Sequence, residues 1–177
     1  MNTSQRLIDL VNDLLRRREA TWVEFKRNNA DPEKIGVLAS AISNAARLSG
    51  QKTGYVLWGV EDGTHSIIGT IVDPEVQRVG NQVFALWLAQ RLSPSIAFQF
   101  HMIPHPLGRV VLMEIPAATS APVAFDSVAY IRTGSAAPKL TNDPDRYQAL
   151  LTALRPNNVN EPKRSLRKSA GVMDPQP

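Results

Sequence analysis

The sequence contains no cysteine. That excludes a disulfide framework, a thiolate nucleophile and any zinc or iron–sulfur centre built on cysteine. It also suits a reducing, cytoplasmic setting. No apolar run approaches the ~20 residues needed to cross a bilayer, so no membrane association is expected. The opening stretch, MNTSQRLIDLVNDLL, is amphipathic and carries acids, unlike a signal peptide. There is no Walker A sequence and no G-x-G-x-x-G fingerprint, so no P-loop nucleotide site is expected. His65, His101 and His105 lack the spacing of metal ligands, and nothing suggests a Ser-His-Asp nucleophile. No internal repeat is visible.

What is present fits one ordinary domain of 177 residues. Twenty Lys and Arg stand against sixteen Asp and Glu, a net charge of +4 that raises nucleic acid as a partner. The excess is unevenly spread. From Arg155 onward there are five basic residues and two acidic ones, leaving fifteen against fourteen in the body. The stretch 155–177 combines prolines, polar residues and charge without apolar periodicity, and reads as a basic, disordered tail. The folded domain is therefore residues 1–154. Nearly neutral overall, it can bind a polyanion only if its charges are segregated.

Ser4 to Arg17 predicts a helix, with Leu7, Leu10, Val11, Leu14 and Leu15 on one face. Thr21 to Arg27 alternates and predicts a strand. Asp31-Pro32-Glu33 starts a helix that Gly50 ends. Its small-residue middle, GVLASAISNAA, predicts close packing. Gly54 to Val60 is an apolar run suited to a strand covered on both faces. Glu61-Asp62-Gly63 predicts a turn, and Ser66 to Thr70 a short returning strand. Pro74 to Leu92 reads as a second long helix. Ala97 to His105 and Arg109 to Ile115 predict a hairpin, Val128 to Arg132 a short strand, and Asp143-Pro144 a last helix to Leu154. These elements give an α+β fold, a mixed β-sheet packed by helices.

Two groups of residues could carry chemistry. The first is Glu19, Glu24 and Lys26 in REATWVEFKR, with Glu61 and Asp62 after the apolar strand. Glu24 and Lys26 lie two apart and so share a strand face. If the two strands are neighbours, their acids converge at one end of the sheet. Grouped carboxylates suit Mg²⁺ or Mn²⁺, hard ions that could activate water against a phosphodiester. The simpler reading is that Glu24 pairs with Lys26 or a nearby arginine and that Glu61-Asp62 only make a turn. The second group is cationic: Arg16, Arg17 and Arg18 at a helix end, Lys26 and Arg27, and Arg132 ahead of Thr133-Gly134-Ser135. Backbone amides and a guanidinium there could take a phosphate. The simpler reading is dipole complementation and an ordinary turn. Trp22, Trp58 and Trp87 read as core. Trp22 shares its expected face with Glu24 and could stack on a base.

In order, TWVEFKRN, IGVLASAISNAARLSG, TGYVLWGVEDGTHSIIGT and AYIRTGSAAPKLT resemble the Schlafen/AlbA-type DNA-binding domain, over most of Arg18 to Thr141. The resemblance implies a single Schlafen/AlbA-like lobe with a nucleic-acid-facing surface, in the manner of a transcriptional regulator. It implies binding residues at Arg18, Lys26, Arg27, Arg132 and Ser135. Some Schlafen members are metal-dependent endoribonucleases acting on structured RNA such as tRNA. Their acidic triad matches Glu19, Glu24 and Asp62 here, the implied catalytic residues and ligands of Mg²⁺ or Mn²⁺. The animal nucleases also carry a Cys/His zinc site, which a chain without cysteine cannot build. They fold two lobes into a clamp, so one lobe would need a homodimer for a comparable groove. Two functions stand side by side: a nucleic-acid-binding module, and a metal-dependent nuclease. A protein–protein module with a charged surface is a third.

Overall fold

The computed structural model describes residues 2–17 and 20–156. Its elements run α1 (Thr3–Arg16), β1 (Val23–Lys26), α2 (Pro32–Leu48), β2 (Thr53–Trp58), β3 (Arg78–Val79), β4 (Gln82–Val83), α3 (Phe84–Ala89), β5 (Leu92–Ser93), β6 (Gln99–His105), β7 (Gly108–Pro116), β8 (Ala124–Phe125), β9 (Val128–Ala129) and α4 (Pro144–Leu154). Asp31 and Asp143 begin α2 and α4 in the same way. Each accepts a free first-turn amide, from Lys34 at 2.9 Å and Arg146 at 3.1 Å, and each is followed by proline at the first helical position.

The main sheet has the order β1-β2-β7-β6. β1 runs parallel to β2 and the other pairs are antiparallel, so the sheet is mixed and the fold α+β. α2 makes the crossover between the two parallel strands. Side-chain alternation along β2 divides the core. Val56 and Trp58 pack with Ile35, Leu38 and Ile42 of α2, while Leu57 packs with Val11 and Leu14 of α1. β2 is therefore covered on both faces, as its unbroken apolar run predicts. Trp22 sits in the turn ahead of β1 and packs in the α1-side cluster, away from the face of Glu24.

α2 lies close because its sequence is small. A Cβ on Gly36 would fall 2.2 Å from the Phe125 ring. Three fully buried polar residues of α2 fasten the end of β7 and the chain that follows it. Ser43 donates to the Pro116 carbonyl at 2.7 Å. Ser40 donates to the Val123 carbonyl at 2.7 Å and accepts from the Tyr130 amide at 3.0 Å. Asn44 donates to the carbonyls of Val123 and Tyr130, both at 2.9 Å, and accepts from the Val123 amide at 2.8 Å.

The expected long helix from Pro74 to Leu92 does not form. A β3–β4 hairpin occupies its first half, and α3 covers only Phe84–Ala89. Gly80, at φ +58 between β3 and β4, supplies the left-handed residue of the turn. Val76, Val79, Val83 and Leu86 mimic a helical stripe, but local turn chemistry decides. The returning strand after Val60 shrinks to one bridge, Val60 to Ile67. The basic stretch 157–177 lies outside the described residues.

Candidate nucleic-acid interface

β1 is an edge strand, and its register with β2 fixes the site. Glu24 pairs with Val56 and Lys26 with Trp58, so both charged side chains emerge on the α2 face while Val23 and Phe25 enter the α1-side core. Because α2 pins Tyr130, the next two residues are carried to that edge. Ile131 enters the core and Arg132 is drawn over Glu24.

Lys26 Nζ lies 3.1 Å from Glu24 Oε1, and Arg132 Nη1 lies 2.5 Å from Glu24 Oε2. The Arg132 side chain is 1% exposed, against 15% for Glu24. The Arg132 contact is ionic. Nη1 is buried against the Glu24 carboxylate, and Nε is buried without a hydrogen-bond acceptor. Two cations thus share one carboxylate, and the cluster keeps a net positive charge with one donor unspent. Such a group is costly to bury and attracts an anion.

Beside it opens a cavity of about 200 Å³, lined by Arg132, Arg146, Thr21 and Ser49 among others. Arg146, which sequence reasoning missed, reaches in from α4. Its Nη1 donates to the Arg132 carbonyl at 2.6 Å and the Thr133 hydroxyl at 2.7 Å. It lies fourteen residues from Arg132 on another element, so no local motif announces it. The next turn is tight. Thr133 and Ala136 exchange backbone bonds of 2.9 and 3.1 Å around Gly134, at φ +58, and exposed Ser135.

The structure thus gathers Glu24, Lys26 and Arg132, with Ser135 three residues along. Arg27 is placed elsewhere, exposed beyond β1 on a cavity shared with Asn28 and Arg109. Asp62 is exposed in the turn after β2, six residues past Val56, the register partner of Glu24. Arg18 and Glu19 lie outside the described residues. Among the described residues no group of three His, Asp or Glu could hold a metal ion. As placed, both Glu24 oxygens face cations. A hard divalent ion there would have to displace an ammonium and a guanidinium.

Among the described residues no helix is long and apolar enough to cross a membrane. The fold aligns over 76% of this chain with the DIP2311 protein of Corynebacterium diphtheriae, at 19% identity and a TM-score of 0.46. The chain spans only 26% of that protein. It aligns over 77% of its length with the N-terminal domain of a RecG-related protein from Nitrosomonas europaea, covering 92% of that chain at 19% identity and a TM-score of 0.40. No curated protein matches it. The profile of the family described as Schlafen, AlbA_2 matches residues 19–141. That span runs from just before β1 to just past the Arg132 turn and takes in more than half of the sequence. The chain therefore belongs to the Schlafen AlbA_2 family.

Proposed function

We propose that this protein binds nucleic acid without cutting it, and that Arg132 and Arg146 take a backbone phosphate. The family points to a nucleic-acid-related function. The observation that carries the reading is the buried Arg132 guanidinium, paired through Nη1 with Glu24 and left with Nε unmatched, on a small cavity it shares with Arg146 and two hydroxyls. Guanidinium forks suit phosphate oxygens, and hydroxyls add further donors. Glu24 serves here as the counter-charge that orients Arg132 and leaves surplus positive charge beside the cavity. Regulation of transcription is one use of such binding.

Binding to labelled DNA and RNA at several salt concentrations tests the proposal. Affinity should fall steeply with salt, by roughly tenfold or more over a few-fold change if several phosphates are contacted. Arg146→Ala should weaken binding to every sequence alike. Absence of binding at low salt would sink the reading in favour of a protein–protein module.

The nuclease reading draws on Glu24 and Asp62 lying on and just beyond neighbouring parallel strands. Incubation with tRNA and Mn²⁺ separates the two. Asp62 is exposed, so Asp62→Ala should not disturb the fold. Metal-dependent cleavage that Asp62→Ala abolishes would replace the binding-only proposal with the nuclease.

A further inference from the structure

We propose that the nucleic-acid track runs across the end of the sheet where β2 begins, along Arg17, Lys52, Arg47 and Arg155, and holds a single strand with a base beside Tyr55. This rests on the nucleic-acid-binding reading above and gives the strand a path beyond the Arg132 cavity.

Three cavities open side by side at that end. One, of about 350 Å³, is lined by Arg17, Lys52, Trp22 and Tyr55. The next, of about 460 Å³, shares Gly50, Gln51 and Lys52 with it and adds Arg47. The third, of about 360 Å³, shares Arg47 and Thr119 with the second and reaches Arg155 and Pro156. Shared walls make them one groove. The hydroxyls of Thr21 and Ser49, 3.3 Å apart, line the Arg132 cavity, and their chain neighbours Trp22 and Gly50 line the aromatic end of the groove.

The groove's charge follows from the topology. α1, α2 and α4 all end here, and Arg17, Arg47 and Arg155 sit at or near their C-termini. Each helix end carries roughly half a negative charge, which favours a cation. Complementation is thus enough to explain one arginine per helix. It leaves Lys52 unaccounted for, and three half-charges do not cancel four full ones. Among the described residues that line the groove Asp13 is the one carboxylate, and it is already paired with Arg16 at 3.4 Å. Counted over these described lining residues, the groove holds four cations and one carboxylate, and three of the cations come from the near-neutral body.

The aromatic end distinguishes a single strand from a duplex. Trp22 and Tyr55 meet edge-on with ring centroids 6.1 Å apart, and the Arg17 guanidinium lies 5.9 Å from the Trp22 centroid. Tyr55 is half-buried and lines the cavity. Burial, and next the charge of Glu114, push its phenol above the ordinary value, so it remains a neutral aromatic at physiological pH. An aromatic face beside cations suits an unpaired base and its phosphates. A duplex keeps its bases stacked inside and cannot use it.

Fluorescence anisotropy of labelled oligo(dT) on the full chain tests this. Lys52→Glu with Arg155→Glu should weaken binding at least about tenfold and flatten the salt dependence. Tyr55→Leu should weaken the single strand and spare a duplex of the same length. Lys34→Glu serves as the control. Lys34 is exposed at the other end of α2, thirteen residues or about 20 Å from Arg47, and the change should have no effect. Thermal melts followed by circular dichroism verify that each variant is folded. If wild type binds and the folded double variant binds as well, the track is wrong while the nucleic-acid reading survives. A wild-type preference for duplex overturns the single-strand assignment. No binding by wild type to any DNA or RNA removes both.

Discussion

A guanidinium whose side chain is 1% exposed needs a counter-charge, and Glu24 supplies it. The sequence offers Glu24 two roles, metal ligand or ion-pair partner, and these differ in what they cost the fold. Breaking a buried pair leaves the other charge without compensation. Glu24→Gln keeps the side chain's size and removes its charge. It should lower stability by about 3 kcal/mol or more, read by urea unfolding. Combining it with Arg132→Met should recover most of the loss, because neither charge is then buried. Unchanged stability of Glu24→Gln in metal-free buffer would instead favour the ligand role. Two residues upstream, Trp22 shows the limit of strand alternation as a guide. It precedes β1 in a turn, so the alternating pattern does not extend to it.

At the scale of elements, α2 organises the molecule. Its small residues admit the β8 strand, and its buried Ser40, Ser43 and Asn44 pin the segment that delivers Arg132. Gly36→Ala should destabilise by about 1–3 kcal/mol, since the added methyl meets the Phe125 ring at 2.2 Å. Phe125→Leu in the same chain should restore part of it, and an unaltered melting temperature in Gly36→Ala would contradict the packing account. Elements with strong local signals were legible in the sequence. The caps at Asp31 and Asp143, the apolar run of β2 and the β6–β7 hairpin all stand where the pattern puts them. The stretch from Pro74 to Leu92 was not, because its apolar spacing fits a helix while the turn at Gly80 breaks it. The polar triplet of α2 hides for another reason. The small-residue pattern predicts that this stretch packs closely, but which backbone groups its hydroxyls and amide hold depends on the distant chain lying over them.

At the scale of the whole molecule the question is where the charge lies. The tail from Arg155 carries most of the net +4, and Lys163, Arg164, Arg167 and Lys168 are its densest part. Replacing those four by serine in the full chain should weaken nucleic-acid binding moderately at low salt, through lost counterion release. Lys52→Glu with Arg155→Glu should still weaken what remains. Complete loss of binding on neutralising the tail would show that the folded domain contributes none of it.

Local chemistry in the sequence determined the helix starts at Asp31 and Asp143, the doubly covered strand, the hairpin and the α+β class, because caps, turns and periodicity act over a few residues. It also set the alternatives for Glu24. The tertiary structure decided between pairings. Residues 24 and 132 meet only because β1 lies beside β2 and α2 holds Tyr130, contacts between positions far apart in the chain. The same holds for the basic groove. A near-neutral composition becomes a positive surface only when three helix ends and the start of β2 are brought to one edge of the sheet.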